Sequence, residues 1–258
     1  MRQFLIIIWG TILCSCSWLS GRPTKVEAQQ ETIVQQLPVR TVVIDTTHSG
    51  LTLFYPNFTS IDLRCLDRPL PSIDSSIVFC CAGAYTGTGE KGHKNIAGNH
   101  VSGGKYQLGY PCKRNTGAFV YYNGKWKFLY PHNYANELDS AAVNGGCAYA
   151  QEMLIHKGEL CKTARADNNK NLFRALCELD GRLCIAEATE TKSFGEFKAS
   201  LLMADVTEAL YTDNGNGWNY SWYREYADEE ATFIHPEYLD EATNWLVFYY
   251  KNEEGQSR

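Results

Sequence analysis

The chain has no Cys-x-x-Cys pair and its six histidines are scattered, so the ligand spacing of a structural zinc site is absent. It has no internal repeat and no low-complexity block, which excludes solenoid and fibrous architectures. It also lacks the basic excess that nucleic-acid binding needs: formal net charge is -5, and from Glu225 to Arg258 nine Asp or Glu face two Lys or Arg. No apolar run is long enough to span a bilayer comfortably. One such run, Phe4 to Trp9, follows the single positive charge of Arg2 and reads as the core of a secretory signal.

That leader ends in Leu13-Cys14-Ser15-Cys16, which resembles the bacterial lipoprotein signal. The resemblance implies a signal peptide over residues 1–15, cleavage after Ser15 and lipid attachment at Cys16. The expected location is an exported, membrane-anchored lipoprotein facing the periplasm or the cell surface. A polar stretch over 16–36, with Gly21, Pro23 and a Gln/Glu cluster, reads as a tether. Eight cysteines then remain, Cys65 to Cys184, and an exported chain permits disulfides among them. Cys177 and Cys184 stand opposite each other if Asp180-Gly181 is a two-residue turn.

From 37 to 258 the chain runs without a linker, as one domain with a sizeable core. Val39–Asp45 and Leu51–Tyr55 read as a hairpin, Ile61–Leu66 as an alternating strand and Ile77–Ala82 as a buried strand ending at Gly83. Thr86 to Gly117 reads as a long loop. Ala118–Leu129, centred on Asn123-Gly124, and Glu178–Arg182, centred on Asp180-Gly181, read as hairpins. One helix is expected over Glu137–Val143, resuming beyond Asn144-Gly145-Gly146. A second starts at the capping box of Ser193 and Glu196, with an apolar face to about Glu208. The expected fold class is α+β, a single domain with a mixed, strand-rich sheet and a few packed helices.

The densest chemistry lies in Ala209 to Arg224. An apolar run delivers Asp213 into a turn of Asn214, Gly215, Asn216 and Gly217. Trp218, Tyr220, Trp222 and Tyr223 follow, and their flat faces suit stacking on a sugar. Glu152, after a second glycine turn, is the candidate partner carboxylate, since two carboxylates across a sugar supply acid and base or nucleophile. Arg174 opens the strand Phe173 to Leu179, and Arg64 alternates within Ile61 to Leu66. Either guanidinium could grip a phosphate through paired hydrogen bonds.

The order of these segments resembles the phosphodiester glycosidase family. Phe79-Cys80-Cys81-Ala82-Gly83-Ala84-Tyr85 is similar to its early strand and Asn-Gly-Gly-aromatic turn, with Ala82 and Ala84 as departures. Gln151 to Gly158 resembles its polar segment, and Arg174 to Leu183 its arginine strand and Asp-Gly hairpin. Ala209 to Gly217 resembles its closing Asp-Gly-Gly strand, with Asn214 replacing a glycine. The likeness implies a hydrolase that releases a sugar from a glycosyl phosphodiester. Asp213 and Glu152 would be catalytic, Arg174 and Arg64 phosphate-binding, and Gly83, Tyr85, Asn214, Gly215 and Trp218 substrate-binding. It leaves open the sugar, the oligomeric state and whether a divalent metal takes part; no cofactor is indicated.

Two rival readings stand beside it. A glycan-binding surface lipoprotein would use the same aromatics without catalysis. A thiol hydrolase would use Cys147, after Gly145-Gly146, with His93, His100, His132, His156 or His235 as base.

Overall fold

The computed structural model describes residues 38–88, 94–131, 134–163, 165, 169–214, 220–235 and 242–251. The chain divides into two units, Met1–Leu37 and Pro38–Arg258, and the fold described is that of the second. The expected signal peptide, the tether, Cys16, Gly215 and Trp218 lie outside the described residues, as do His93 and His132.

The first strands are β1 (Val42–Asp45), β2 (Leu51–Pro56), β3 (Ser60–Cys65), β4 (Ile77–Ala82), β5 (Thr86–Thr88) and β6 (Lys94–Ile96). They are followed by β7 (His100–Ser102), β8 (Lys105–Gln107), β9 (Gly117–Tyr122) and β10 (Lys125–Leu129). Helix α1 (Ala135–Val143) leads to β11 (Cys147–Gln151), β12 (Met153–His156), β13 (Glu159–Leu160), β14 (Arg174–Leu179) and β15 (Arg182–Ala188). Helix α2 (Phe194–Met203) precedes β16 (Glu208–Thr212), β17 (Ser221–Tyr223), β18 (Thr232–Phe233) and β19 (Asn244–Tyr249).

These strands build three larger sheets and one two-stranded ribbon, β5-β6. The seven-stranded sheet has the order β1-β2-β15-β14-β16-β12-β13, and the five-stranded ones β10-β9-β11-β7-β8 and β18-β17-β4-β19-β3. Every pairing in them is antiparallel. Strand makes up 47% and helix 10% of the described chain, with two helices, so the fold is β-rich and the expected α+β class is corrected.

Two segments account for the correction. Residues 86–117 hold four strands of three residues each, too short to leave a period in the sequence although their backbones pair. Cys147–Gln151, where the helix was expected to resume, is a strand buried along its whole length between β9 and β7. A fully buried strand has no polar face, so its pattern does not separate it from a core helix. Helix α2 begins at the Ser193 capping box as expected but ends at Met203, and Glu208 already belongs to β16. Among the described residues no helix is long and apolar enough to cross a membrane.

The expected hairpins form. Asn123 and Gly124 take φ of 51° and 70°, and Asp180 and Gly181 51° and 69°, the left-handed pairs a type I′ turn requires. The second turn sets a register that pairs Cys177 with Cys184, and all eight cysteines from Cys65 to Cys184 are free.

Alternation along the strands separates the interior from the outer layers. Leu63, Phe79, Phe119, Tyr149, Leu176, Ile185, Leu210, Leu246 and Phe248 meet in one central core drawn from all three larger sheets. On the other side of the seven-stranded sheet, Ala175, Cys177 and Cys184 pack with Phe194, Phe197 and Leu201 of α2. Each buried ring contributes about 1.5–3 kcal/mol relative to exposure, so these layers hold strand ends rigidly. One such end carries the functional cluster.

Candidate functional site

At the end of β14 away from the Asp180-Gly181 turn, Arg174 stands opposite Glu187 of β15 on one side and Thr212 of β16 on the other. Its Nε and Nη2 each lie 2.8 Å from Glu187 Oε2, and Nη2 also donates to Ser221 Oγ at 2.8 Å. The second oxygen of Glu187 meets His235 Nε2. Burial pushes the Glu187 carboxyl up, but Arg174 and His235 outweigh it and hold the group below the usual carboxylate range. Ser221 pairs with Cys81 of β4, so this ion pair ties the seven-stranded sheet to the sheet of β4 and β17. The Cys81 thiol itself is pushed up to about 12 by burial and stays protonated.

Strand β16 ends at Thr212, and the N–H of Asp213 donates to the carbonyl of Gly83 at 2.8 Å. Gly83 has no room for a side chain: a Cβ would stand 2.8 Å from Asn244 Oδ1 and 3.1 Å from Leu63 Cδ1. The Asn244 amide clamps the next residue from both sides, accepting from Ala84 N at 2.7 Å and donating to Ala84 O at 2.9 Å. This fixes the exit from β4, and Tyr85 lands with its ring 5.3 Å from that of Tyr211.

Glu152 fills the one-residue gap between β11 and β12, and its carbonyl accepts from Tyr211 N at 2.9 Å. Its side chain is fully buried. Oε1 accepts from the Thr163 hydroxyl, and Oε2 lies 3.8 Å from Arg165 Nε. Burial raises the Glu152 carboxyl above its ordinary value, while Arg165, Arg114 and Lys198 pull in the other direction. Arg165 is enclosed by four rings: its guanidinium carbon is 4.6 Å from the centroids of Phe194 and Tyr211 and 5.6 Å from those of Tyr85 and Phe173. It also donates to the Tyr85 hydroxyl.

At this end of the seven-stranded sheet, Arg174, Glu187 and Thr212 lie on the face of the central core, Tyr85, Glu152, Arg165 and Tyr211 lie on the face of α2, and Gly83 meets Asp213, which precedes Asn214, at the strand end. Several buried polar atoms there have no partner among the described residues: Arg174 Nη1, Thr212 Oγ1 and both amide atoms of Asn214. Such atoms are costly to leave unpaired, and they are donors and acceptors open to a polar group. The cluster is nearly closed. Asp213 is 8% and Asn214 3% exposed, and the side chains of Arg165 and His235 form its outer rim at 16% and 15%.

Other expected residues go elsewhere. Arg64 alternates with Leu63, whose side chain enters the central core, so Arg64 lies on the opposite face. There it pairs with Asp74 at 3.6 Å and covers the Tyr249 ring, apart from Arg174. Trp222 is a neighbour of Ser221 and therefore faces the other way, into a cluster with Ile77, Cys80 and Trp245; its Nε1 donates to Pro69 O at 3.1 Å. Tyr220 bonds the same carbonyl at 2.9 Å and Tyr223 packs on Phe54. Of the expected aromatic wall the described part, 220–223, is divided between two faces by strand alternation. Cys147 is a core thiol: it donates to Ile61 O at 3.5 Å, and burial pushes it well above its ordinary value. Of the described candidate histidines, His156 bonds Glu208 at 2.8 Å, His235 bonds Glu187 and His100 is buried at Gly98 O, so none of these three is paired to Cys147. Among the described residues no group of three or more His, Cys, Asp or Glu is placed to hold a metal ion.

Glu187, Ser221, Thr212, Thr163 and Arg165 were not among the expected site residues. Glu187 was within reach: a turn centred on Asp180-Gly181 pairs positions summing to 361, which sets 187 against Arg174. Arg165 has no comparable signal, since its neighbours come from four separate segments.

No family model matches the sequence, and no curated protein matches it either. Solved structures do. The catalytic domain of zebrafish N-acetylglucosamine-1-phosphodiester alpha-N-acetylglucosaminidase, auto-inhibited by pro-peptide, is similar with a TM-score of 0.55 at 13% identity, covering 82% of each chain. A hypothetical protein from Synechocystis is similar with a TM-score of 0.55 at 10% identity, covering 81% of this chain and 61% of that one. The relationship is distant and structural, and it concerns the fold.

Proposed function

We propose that the protein is a glycosidase-like hydrolase that releases a sugar from a glycosyl phosphodiester, of the phosphodiester glycosidase family. The observation that carries this reading is the set of buried, unpartnered polar groups at one sheet end, Arg174 Nη1, Thr212 Oγ1 and the Asn214 amide, where Asp213 leaves β16. The fold shared with a domain that acts on such a phosphodiester points the same way.

The donors suit an oxyanion. A phosphodiester repels an attacking carboxylate or hydroxide, and pre-aimed donors offset that charge and stabilise the departing phosphate. Arg174 supplies its fork already oriented, because Glu187 and Ser221 hold the other two nitrogens. On the sugar side, Tyr85 offers a ring face. Burial makes Glu152 the better proton donor, and Asp213 is placed to position water or steady an oxocarbenium-like centre. Gly215 and Trp218 complete the sugar contacts in this reading, and Arg64 has no part in it. In this reading the protein is tethered through Cys16 at a bacterial surface or in the periplasm, as its leader's likeness to a lipoprotein signal implies.

The test is incubation with a sugar phosphodiester while free sugar is measured, for the native protein and Arg174→Lys. Lysine keeps the charge but loses the fork. Release by the native chain and a loss of about 10²-fold in Arg174→Lys are expected, the scale of removing one transition-state donor. Retention of the glycan without release would favour the glycan-binding reading instead.

A further inference from the structure

We propose that Arg165 is the positioning residue for Glu152: a four-ring cage holds its guanidinium so that one cation stands beside the buried carboxyl group. The proposal rests on the reading of Glu152 as the proton-transferring group. The geometry that supports it is specific. Tyr85, Phe173, Phe194 and Tyr211 surround the guanidinium at 4.6–5.6 Å. These residues come from the β4 exit, the β14 entry, the first turn of α2 and the end of β16, and no other described cation has such an enclosure. A flexible arginine at a surface gains little from a carboxylate, because ordering both side chains costs rotamer entropy. Here the rings have already fixed the head group, and its Nε stands 3.8 Å from Glu152 Oε2. The backbone N–H of Arg165 donates to Thr163 Oγ1 at 3.1 Å, and the same hydroxyl donates to Glu152 Oε1. One short segment therefore delivers both partners of the carboxyl group.

The chemical consequence concerns proton transfer. Burial raises the Glu152 carboxyl above its ordinary value and so favours its protonated form. A fixed positive charge beside it restores release, so the group can both give and take a proton. The groups facing Glu152 from the surrounding elements are Tyr85, Thr163, Arg114, Arg165 and Lys198, and Asp213 acts on Tyr85 from the end of β16. Lys198 is committed to the Cys161 carbonyl at 2.5 Å. Arg165 is the one of these cations that forms an ion pair with Glu152.

The experiment is a carboxyl ¹³C NMR titration of Glu152 in the full chain, with its signal assigned by loss in Glu152→Gln. Arg165→Met fills the cage without charge, and Arg165→Lys restores the charge. The midpoint of Glu152 is expected to rise by about 1 unit or more in Arg165→Met and to return most of the way in Arg165→Lys. Arg165→Ala opens the cage, and millimolar guanidinium chloride should then lower the raised midpoint in a saturable manner. An unmoved midpoint in folded Arg165→Met, or a Lys variant no different from Met, would overturn the proposal. The readout needs no turnover, so it stands apart from the sugar-release assay: absent release with a shifted midpoint refutes the activity and not the pairing.

Discussion

The two arginines at the sheet end are held in opposite ways. Arg174 lies in a strand, and its charge is answered by a carboxylate, a hydroxyl and, through Glu187, a histidine. Arg165 lies between strands, and π faces answer most of its charge, with Glu152 at longer range. The first arrangement is a buried ion pair whose members cannot be separated cheaply. The second fixes its cation by surrounding rings and leaves the carboxylate at longer range. This difference fits the first arginine to anchoring and the second to tuning.

The comparison breaks most visibly at Glu187. Glu187→Ala leaves Arg174 buried without its counter-charge and is expected to cost about 3–5 kcal/mol in urea unfolding, more than Arg165→Met in the same series. Equal costs would mean that the two guanidinium groups are held alike.

Acid sharpens the contrast further. Because Glu187 is held below its unfolded value, the folded state binds fewer protons over that window. The pair's contribution is complete above the ordinary carboxylate range and is lost as pH falls through the lowered value. Glu187→Gln should flatten this part of the stability-pH curve, as read from unfolding midpoints across acidic buffers. Glu152 has the opposite sign: its raised value makes its contribution fall as pH rises from the ordinary carboxylate range to that raised value.

The smallest effect belongs to the cage. Tyr85→Phe keeps the ring over Arg165 but removes the hydroxyl that accepts from it. It is expected to cost about 1 kcal/mol of stability, measured by the same unfolding, and to raise the Glu152 midpoint by less than Arg165→Met does, since the hydroxyl also bonds Glu152. A rise as large as that in Arg165→Met would show that the hydroxyl, rather than Arg165, is the main group lowering Glu152.

Local features were legible from residue types. The Asp180-Gly181 and Asn123-Gly124 turns, the Ser193 capping box and the strand Ile77–Ala82 stand where chain-local physics puts them. The sheet-rich class was not legible, because three-residue strands such as His100–Ser102 and a wholly buried strand such as Cys147–Gln151 carry no alternation. At the site, Asp213 and Arg174 could be singled out as charges leaving or entering apolar runs. The aromatic run at 220–223 misled because one residue of offset decides whether a ring faces the core or the outer layer.

By itself, then, the sequence determined the turns, the cap, the hairpin registers and, through the 180–181 turn, the facing of Arg174 and Glu187. These depend on neighbours a few residues apart, where backbone sterics and hydrogen bonding act without the rest of the fold. Only the tertiary structure decided that Gly83 meets Asp213, that Glu152 is buried under Tyr211's strand, and that four distant rings close on Arg165. Those contacts follow from how the sheets and helix α2 pack on one another, and such packing leaves no periodic trace in any single segment.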